Sequence, residues 1–283
     1  MKNRGWIMGY KLIACDMDET LLSDNKEICQ RNIDLIRKAR EEYGIKFVPA
    51  TGRGFELIQK ELKVLDLHNK EGEYVLSFNG GALTENLGNK ILQFKGLSFS
   101  KMKELFEYGL KKDLCIHVYT KRDFYVFNIS EMEEEKLDKV SYIRMDNNTV
   151  DFLENEEISK VIYQNSNIEY LMSLEEEMKS ITKGQCSVSY SSNRYMEFNT
   201  LGVDKGQGLI DLANLLNIDI KDTIAVGDNY NDMAMLKVAG LSVAAQNAVD
   251  DVKKTCDYVT KATNNEGVVA ELIEKFILEK NID

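Results

Sequence analysis

Short apolar runs that each end in polar residues recur along the first third of this chain. They are Leu12–Cys15, Ile45–Val48 and Tyr74–Phe78. Runs of this length are typical of buried strands in a parallel sheet. Helical spacing over Asn25–Glu42 and Phe55–Leu65 fills the intervals, and Gly44 predicts a left-handed cap on the first helix. Pro49 is expected near the end of its strand, because proline lacks an amide hydrogen. The order predicts a βαβαβ unit with right-handed crossovers.

Pairs of short alternating segments replace this pattern after residue 81. They predict three hairpins, namely Ala82–Glu85 with Ile91–Lys95, Cys115–Thr120 with Phe124–Asn128, and Ser187–Tyr190 with Tyr195–Phe198. Between the hairpins, helices are predicted at Ser100–Lys112 and Ile168–Ile181, and a strand at Val161–Tyr163. The acidic run Glu131–Glu135 predicts a solvated helical face. Hairpins that alternate with helices describe a mixed α+β unit with its own sheet, which we place at residues 82–194.

The first pattern resumes after this insertion. Asp204 predicts the N-cap of a helix over Lys205–Leu216. The elements predicted next are strand Thr223–Val226, helix Met233–Val238, strand Leu241–Ala244, edge strand Tyr258–Val259 and helix Val268–Leu278. We therefore expect an α/β protein whose doubly wound parallel-sheet core, residues 1–81 and 195–283, is interrupted by an α+β cap at residues 82–194.

Length, composition and charge narrow the class of protein. The chain has 283 residues, of which 43% are hydrophobic and 29% charged, as in globular proteins. No apolar run approaches the ~20 residues of a membrane helix. Met1–Gly9 has no apolar stretch long enough for a signal peptide, and Met8 is an alternative start. The formal net charge of −11 argues against nucleic acid or anionic membranes as partners. We expect a cytoplasmic monomer or homodimer.

Cysteine and histidine chemistry is not favoured. The five cysteines are scattered without a Cys-x-x-Cys pair, which is consistent with reduced thiols and offers no zinc site. Cys15 is rejected as a nucleophile, because the adjacent Asp16 and Asp18 raise a thiol pKa. His68 and His117 stand far apart without a partner motif.

Four polar groups stand at strand ends or helix starts. They are Asp16 with Asp18, Thr51 with Gly52, Lys205, and Asp228 with Asn231 and Asp232. The carboxyl ends of parallel strands meet at one edge of a sheet, so these groups are expected to lie together. The aspartates offer oxygen ligands for Mg²⁺. Lys205, Thr51 and helix-terminal amides offer donors to phosphate oxygens, and Gly52 lets the backbone approach an anion. Each group alone also fits an ordinary loop, turn or surface residue. Their combination favours a phosphoryl site.

These segments resemble the motifs of the haloacid dehalogenase (HAD) superfamily phosphatases, specifically the Cof-type branch, subclass IIB. The matching segments are Asp16-Met17-Asp18-Glu19-Thr20, Ala50-Thr51-Gly52-Arg53, Lys205-Gly206 and Gly227-Asp228-Asn229-Tyr230-Asn231-Asp232. The resemblance spans the whole chain and implies a HAD-like core with a cap inserted between the second and third motifs. Glu19, Pro49 and Thr200 depart from the family pattern, and none of them has a catalytic role in it.

The resemblance implies a role for each matched residue. Asp16 attacks phosphorus and forms an aspartyl phosphate. Asp18 donates a proton to the leaving oxygen and then accepts one from water, which requires a raised pKa. Mg²⁺ is bound by the Asp16 carboxylate, the Asp18 carbonyl and the Asp228 carboxylate, and Asp232 supports this shell. The phosphoryl group is held by Thr51, Lys205, Asn231 and the Met17 and Gly52 amides.

The resemblance also implies small phosphorylated substrates, such as sugar phosphates, over whose leaving group the cap closes. The candidate contacts to that group are Arg53, Asn79, His117, Tyr119 and Arg194. Two alternatives remain open. A phosphomutase or phosphotransferase on the same scaffold would form isomers without releasing phosphate. A sugar-phosphate-binding regulatory module would bind such compounds without turnover.

Overall fold

The computed structural model of this chain describes residues 9–138 and 140–278. Residues 1–8, which include the alternative start at Met8 and nearly all of the segment judged not to be a signal peptide, lie outside the described residues. The strands are β1 (Leu12–Asp16), β2 (Lys46–Ala50), β3 (Tyr74–Ser77), β4 (Ala82–Glu85), β5 (Lys90–Phe94), β6 (Cys115–Thr120), β7 (Phe124–Phe127), β8 (Ile143–Met145), β9 (Ile158–Gln164), β10 (Cys186–Ser191), β11 (Tyr195–Thr200), β12 (Thr223–Gly227), β13 (Leu241–Ala244) and β14 (Tyr258–Val259).

The α-helices lie between some of these strands. They are α1 (Gln30–Tyr43), α2 (Gln59–Val64), α3 (Phe99–Lys111), α4 (Glu131–Lys136), α5 (Ile168–Glu177), α6 (Lys179–Thr182), α7 (Lys205–Leu215), α8 (Met233–Val238), α9 (Asp250–Thr255) and α10 (Val268–Ile273). A π-helical turn, Glu274–Leu278, extends α10. Within the described residues, no helix is both long and apolar enough to cross a lipid bilayer.

The first sheet is the predicted α/β core. Its strand order is β14-β13-β12-β1-β2-β3-β4-β5, and the strands from β14 to β3 are parallel. The central β1 is buried along its whole length. Ile13 packs with α1, α2 and α10 on one face, whereas Leu12 and Ala14 pack with α7, α8 and α9 on the other. Each fully buried leucine or isoleucine contributes about 1.5–3 kcal/mol to folding. The parallel strand order and the helices on both faces confirm the predicted doubly wound α/β architecture.

The first hairpin belongs to the first sheet. β4 pairs with β3 and β5 pairs with β4, both antiparallel, so the sheet continues to Phe94. Sequence analysis placed this hairpin in the inserted cap, which was expected to begin at Ala82. At the other end of the insertion, β11 pairs with β9 and β10 and so belongs to the second sheet. That strand was expected in the core. The changes from one sheet to the other therefore follow Phe94 and Thr200, later than the predicted boundaries.

The second sheet has two unlike faces. Its strand order is β10-β11-β9-β6-β7-β8, antiparallel except between β7 and β8. One face packs against α3 and α5 through apolar residues that include Val118, Val161 and Phe198. Because side chains alternate along a strand, the neighbouring Lys160 and Glu197 point to the opposite face. That face approaches the carboxyl edge of the first sheet, where the Asn199 Nδ2 donates to the Phe78 carbonyl at 3.0 Å.

Several local predictions can be compared with the structure. Asp204 caps α7 by accepting from the Gln207 amide at 2.8 Å, and Gly44 ends α1 with a φ of 66°, both as predicted. Pro49 lies one residue before the end of β2. Helix α1 begins at Gln30 rather than at Asn25, because Ser23–Glu27 forms a turn closed by its own backbone hydrogen bonds. The predicted solvated face of Glu131–Glu135 is wrong at Glu133, which is fully buried.

Gly80 sets the distance between the loop after β3 and the start of α7. Its φ is +87°, and an added Cβ would lie 2.3 Å from the Asp204 carbonyl oxygen. Only glycine allows this approach, which fixes the helix end that carries Lys205.

We expect Gly80→Ala to destabilise the protein more than Gly88→Ala does. Gly88 also has a positive φ, +65°, but no atom lies within 4 Å of its added Cβ. Both variants introduce strain of about 1–2 kcal/mol, and only Gly80→Ala adds the clash, about 1–3 kcal/mol more. Urea unfolding of both variants measures the difference. Equal losses would contradict the close packing of this loop on α7.

Candidate active site

Three carboxylates from two segments meet at the carboxyl edge of the first sheet. Asp16 ends β1, Asp228 follows the adjacent strand β12, and Asp232 lies on a 3₁₀ turn after β12. One oxygen from each lies within 4.8 Å of the others, and all three residues are buried. The pairing of β1 with β12 explains the meeting, because it aligns Cys15 with Val226. The predicted convergence of Asp16, Asp228 and Asp232 is therefore present.

Lys205 is the cation at the centre of this cluster. It is the first residue of α7, it is fully buried, and its Nζ donates to Asp16 and, at 2.6 Å, to Asp232 Oδ1. The other Asp232 oxygen accepts from the amides of Asp228 and Asn229, at 3.0 and 3.2 Å. The bonds to Asp16 and Asp232 use two of the three ammonium hydrogens of Lys205. Sequence analysis expected Lys205 to bind phosphate and did not foresee that it would pair with two aspartates.

Burial and mutual repulsion favour protonation of the carboxylates. Burial, together with the Asp232 carboxylate, raises the pKa of Asp16 to about 7, although Lys205 acts in the opposite direction. Burial and the neighbouring Asp16 also raise the pKa of Asp228, which accepts from the Thr20 hydroxyl at 2.7 Å. Burial alone would lower the pKa of Lys205, but Asp16 and Asp232 raise it above its ordinary value.

The cluster has the composition of a site for a divalent cation. If all groups are ionised, three carboxylates and one ammonium leave two negative charges uncompensated in a buried space. Hard cations such as Mg²⁺ and Ca²⁺ prefer oxygen ligands of this kind. Asp16 and Asp228 are the best-placed ligands, because Asp232 already accepts from Lys205 and two backbone amides. The residues therefore fit a bound metal ion.

Asp18 lies apart from the three-carboxylate cluster. Its carboxylate accepts from Arg53, at 2.8 Å through Nε and again through Nη2, and from Lys26 Nζ at 3.0 Å. Burial acts to raise the pKa of Asp18, but Arg53 and Lys26 hold it below the ordinary range. Sequence analysis expected a raised pKa here. That expectation is wrong for this arrangement, because Lys26 from the same loop and Arg53 from the loop after β2 both reach the carboxylate.

The second motif lies next to the loop that follows β3. Thr51 is buried, its hydroxyl accepts from the Arg53 amide at 3.0 Å, and its carbonyl accepts from the Asn79 amide at 3.0 Å. Asn79 is also buried, and its Nδ2 donates to Glu197 Oε2 at 2.8 Å. Gly52 lies beneath the second sheet, within reach of Asn79 and Lys160. Residues 51–53 and 79 thus line the space between the two sheets.

Met17 and Asn231 are the two remaining residues that were predicted to bind phosphate. Met17 is buried, and its carbonyl accepts from the Leu21 and Leu22 amides at 3.1 and 2.8 Å, which forms the turn after β1. Asn231 is half-buried on the turn that carries Asp232. The phosphate contacts predicted for Met17 and Asn231 stay predictions.

Sequence analysis missed two buried charged residues of the second sheet, Lys160 and Glu197, which form an ion pair above Gly52. Lys160 lay just outside the predicted strand at Val161–Tyr163. Glu197 stood inside a predicted hairpin strand, between Met196 and Phe198. A charged residue flanked by apolar residues in a strand was the available signal, since such a residue needs a partner when it is buried.

Known proteins resemble this chain over nearly its whole length. A family model described as haloacid dehalogenase-like hydrolase matches residues 13–272. The Bacillus subtilis protein YxeH is 30% identical over 280 residues, which cover 96% of this chain and 100% of YxeH. The Bacillus subtilis 5-amino-6-(5-phospho-D-ribitylamino)uracil phosphatase YcsE is 28% identical over 272 residues, covering 95% and 96% of the two chains.

A solved structure agrees with both sheets. The crystal structure of a haloacid dehalogenase-like hydrolase from Bacteroides thetaiotaomicron is 31% identical in sequence, with a TM-score of 0.77. The match covers 94% of this chain and 99% of the other. The inserted second sheet is therefore part of the shared fold, as the Cof-type pattern predicted.

We expect Mg²⁺ to raise the melting temperature of the protein, because the cation offsets repulsion among the three carboxylates. At 100 times the dissociation constant, the stabilisation is about 2.7 kcal/mol, and the rise in Tm is roughly 5–10 °C. Differential scanning fluorimetry with and without EDTA measures the shift. Asp228→Asn should lose most of it, whereas Asp146→Asn, whose side chain is 93% exposed, should keep it. An equal shift in both variants would contradict the assignment.

Proposed function

We propose that this phosphatase, which belongs to the haloacid dehalogenase-like hydrolase family, hydrolyses small phosphomonoesters with the help of Mg²⁺ and through a phosphorylated Asp16. The observation that carries the proposal is the buried cluster of Asp16, Asp228 and Asp232 around Lys205. An isolated cluster of this charge would be costly to bury. The cluster lies at the edge of the α/β sheet where ligands bind, and a bound cation and phosphoryl group would compensate its charges.

Donors around Asp16 would hold the phosphoryl group. Lys205 has one ammonium hydrogen left after its bonds to Asp16 and Asp232. The Thr51 hydroxyl accepts from the Arg53 amide and keeps its own proton for a phosphate oxygen. We propose that the Met17 and Gly52 amides and the Asn231 side chain donate hydrogen bonds to the other phosphoryl oxygens. Removing one positioned donor of this kind costs about 100-fold in rate or more.

The reaction would proceed in two displacements. An Asp16 carboxylate oxygen forms a bond to phosphorus while the bond between phosphorus and the leaving oxygen breaks, and Asp18 transfers its proton to that oxygen. A water molecule then attacks the same phosphorus, Asp18 takes one proton from the water, and the bond to Asp16 breaks. Inorganic phosphate leaves, and both aspartates return to their starting state.

Mg²⁺ bound by Asp16, Asp228 and the Asp18 carbonyl would allow two anions to approach each other and would stabilise charge in the transition state. Asp232 contributes indirectly, since its bonds to Lys205 and to the Asp228 amide hold both groups in place. The protein's general negative charge makes this local compensation necessary for an anionic substrate.

Arg53 couples the phosphoryl site to Asp18. In the structure its guanidinium pairs with the Asp18 carboxylate and favours the ionised form. For Asp18 to hold a proton, Arg53 must exchange this carboxylate for another anion. A substrate phosphoryl group at Gly52 would be that anion, because Gly52 directly precedes Arg53. Substrate binding would then raise the pKa of Asp18 at the moment when a proton is needed.

The substrates we propose are sugar phosphates and related metabolites. The name of the relative YcsE describes a phosphorylated ribityl compound, whose leaving group carries several hydroxyls. The buried polar face of the second sheet above Gly52 suits a leaving group of this kind.

We expect Asp16→Asn to reduce the rate of phosphate release by at least about 1000-fold. The side-chain amide is a poor nucleophile, so the phosphorylated intermediate does not form. Phosphate release from a panel of phosphorylated metabolites, with Mg²⁺ and with EDTA, measures activity. Acid quench and intact mass spectrometry detect the phosphoryl group on the wild-type chain. Asp146→Asn is the charge-matched control. Turnover of Asp16→Asn within tenfold of wild type would overturn the mechanism, and isomers formed without phosphate release would indicate a mutase.

We expect Lys26→Met to move the alkaline limb of the kcat profile, which reports the enzyme–substrate complex, to higher pH. Asp18 must be protonated as the leaving group departs, so activity falls as pH rises through its pKa. Burial acts to raise that pKa, and Arg53 and Lys26 together lower it. Removing Lys26 therefore raises it, by roughly 0.2–0.5 pH units, because the Lys26 side chain is 55% exposed. Lys11→Met, which removes a surface pair with Asp222, should leave the profile unchanged. A shift to lower pH would contradict the role of Asp18.

A further inference from the structure

Three consecutive residues after β3 have a left-handed backbone conformation. Their φ angles are +52° at Phe78, +57° at Asn79 and +87° at Gly80. Glycine adopts such angles freely and asparagine tolerates them, but a bulky residue such as phenylalanine rarely does. A strained conformation persists only where surrounding contacts hold it, and such places are frequent at functional sites. The contacts of this turn, residues 78–80, therefore bear on its role.

The turn is hydrogen-bonded to the backbone of the second motif. The Phe78 amide donates to the Arg53 carbonyl, and the Asn79 amide donates to the Thr51 carbonyl, both at 3.0 Å. These two bonds lie on either side of Gly52. The turn therefore fixes the backbone that surrounds this glycine.

The bond to Thr51 also sets the direction of the Gly52 amide. The Thr51 carbonyl and the Gly52 N–H belong to one peptide unit, which is planar and trans, so the two groups point in opposite directions. Because the carbonyl is directed at the Asn79 amide, the N–H points away from the turn. This N–H is one of the donors proposed above for the phosphoryl oxygens. Its orientation thus depends on the conformation of Asn79.

The second sheet is hydrogen-bonded to the same turn. Glu197 and Asn199 are alternate residues of β11, so both side chains lie on the polar face of the sheet. Asn199 Nδ2 donates to the Phe78 carbonyl at 3.0 Å, and Glu197 Oε2 accepts from Asn79 Nδ2 at 2.8 Å. All four residues are buried. Contacts from β11 therefore reach the two strained residues that hold the second motif.

We propose that Asn199, supported by Glu197, is a positioning residue for the phosphoryl site. Its bond to Phe78 stabilises the left-handed turn, and the turn directs the Gly52 amide toward the phosphoryl oxygens. This role is exerted through the backbone, so it is the same for every leaving group. It rests on the proposed function, in which the Gly52 amide binds phosphate. The competing explanation is that Asn199 only attaches the two sheets to each other.

Inorganic phosphate tests this role because it has no leaving group. Isothermal titration calorimetry in Mg²⁺ buffer gives its dissociation constant, and phosphate release from the metabolite panel gives kcat and KM. We expect Asn199→Ala to weaken phosphate binding by about 3- to 10-fold, which corresponds to one lost hydrogen bond. We expect kcat to fall by about 10- to 100-fold for every substrate, since a misdirected donor stabilises the transition state less.

Two further variants separate positioning from general damage. Asn199→Leu also lacks the donor but leaves no cavity, so it should weaken phosphate binding at least as much as Asn199→Ala does. Ser187 lies opposite Asn199 in the pairing of β10 with β11, and its hydroxyl accepts from the Gly202 amide at 3.2 Å. Ser187→Ala removes that bond and should keep the wild-type phosphate affinity and kcat. Melting temperatures establish that each variant is folded at the assay temperature.

Each outcome supports or overturns the positioning role. Parallel losses of phosphate affinity and kcat in both Asn199 variants support it. A lower melting temperature with unchanged phosphate affinity and kcat would show a purely structural contact and overturn it. A loss that differs between substrates, with unchanged phosphate binding, would indicate a contact to the leaving group and overturn it as well. Wild-type protein that neither binds phosphate nor releases it from any substrate of the panel would instead overturn the proposed function, and the positioning role with it.

Discussion

Repulsion among three buried carboxylates is the constraint that this structure has to accommodate. Asp16, Asp228 and Asp232 lie within a few ångströms of each other, where the dielectric response is weak and like charges interact strongly. Lys205 compensates part of the charge, and backbone amides support Asp232. A fold can keep such a cluster only if the ends of several strands and helices meet accurately at one edge. The order of the parallel sheet, with β12 beside β1, provides that meeting.

Close backbone packing keeps these loops in place. An added Cβ at Gly227 would lie 2.5 Å from the Asp232 carboxylate, so the turn that carries Asp232 folds directly onto the end of β12. Gly80 does the same for the loop after β3 and the start of α7. Irregular segments usually move more than sheets and helices do. Here Gly227 lies directly against the Asp232 side chain and Gly80 against the Asp204 backbone, which limits how far Lys205 and Asp232 can shift from Asp16.

The sequence allowed the α/β core and the carboxylate cluster to be predicted, because both depend on local patterns. The buried run of β1, the Asp204 cap and the aspartates that follow strands are readable within a few residues. Pairing between segments that are far apart in the sequence cannot be predicted from such local patterns. The hairpin β4–β5 has the same pattern whichever sheet it joins, and only its contact with β3 decides the matter. The lowered pKa of Asp18 likewise depends on Arg53, 35 residues away. Lys160 and Glu197 have no motif, and their proximity arises only when β9 and β11 pair.

The proposed roles divide the molecule into a part that acts on the phosphoryl group and a part that recognises what is attached to it. The first sheet supplies Asp16, Lys205 and Asp228, which would meet the same chemical group in every substrate. Lys160 and Glu197 lie on strands whose opposite face is anchored by packing against α3 and α5, so their side chains can change without loss of that packing. Gly52 lies where the two parts meet, since its amide is assigned to the phosphoryl group and an added Cβ would lie 3.1 Å from Asn79 Oδ1 and 3.4 Å from Lys160 Nζ. A side chain at Gly52 would therefore crowd Asn79 and Lys160 and also disturb the amide assigned to the phosphoryl group.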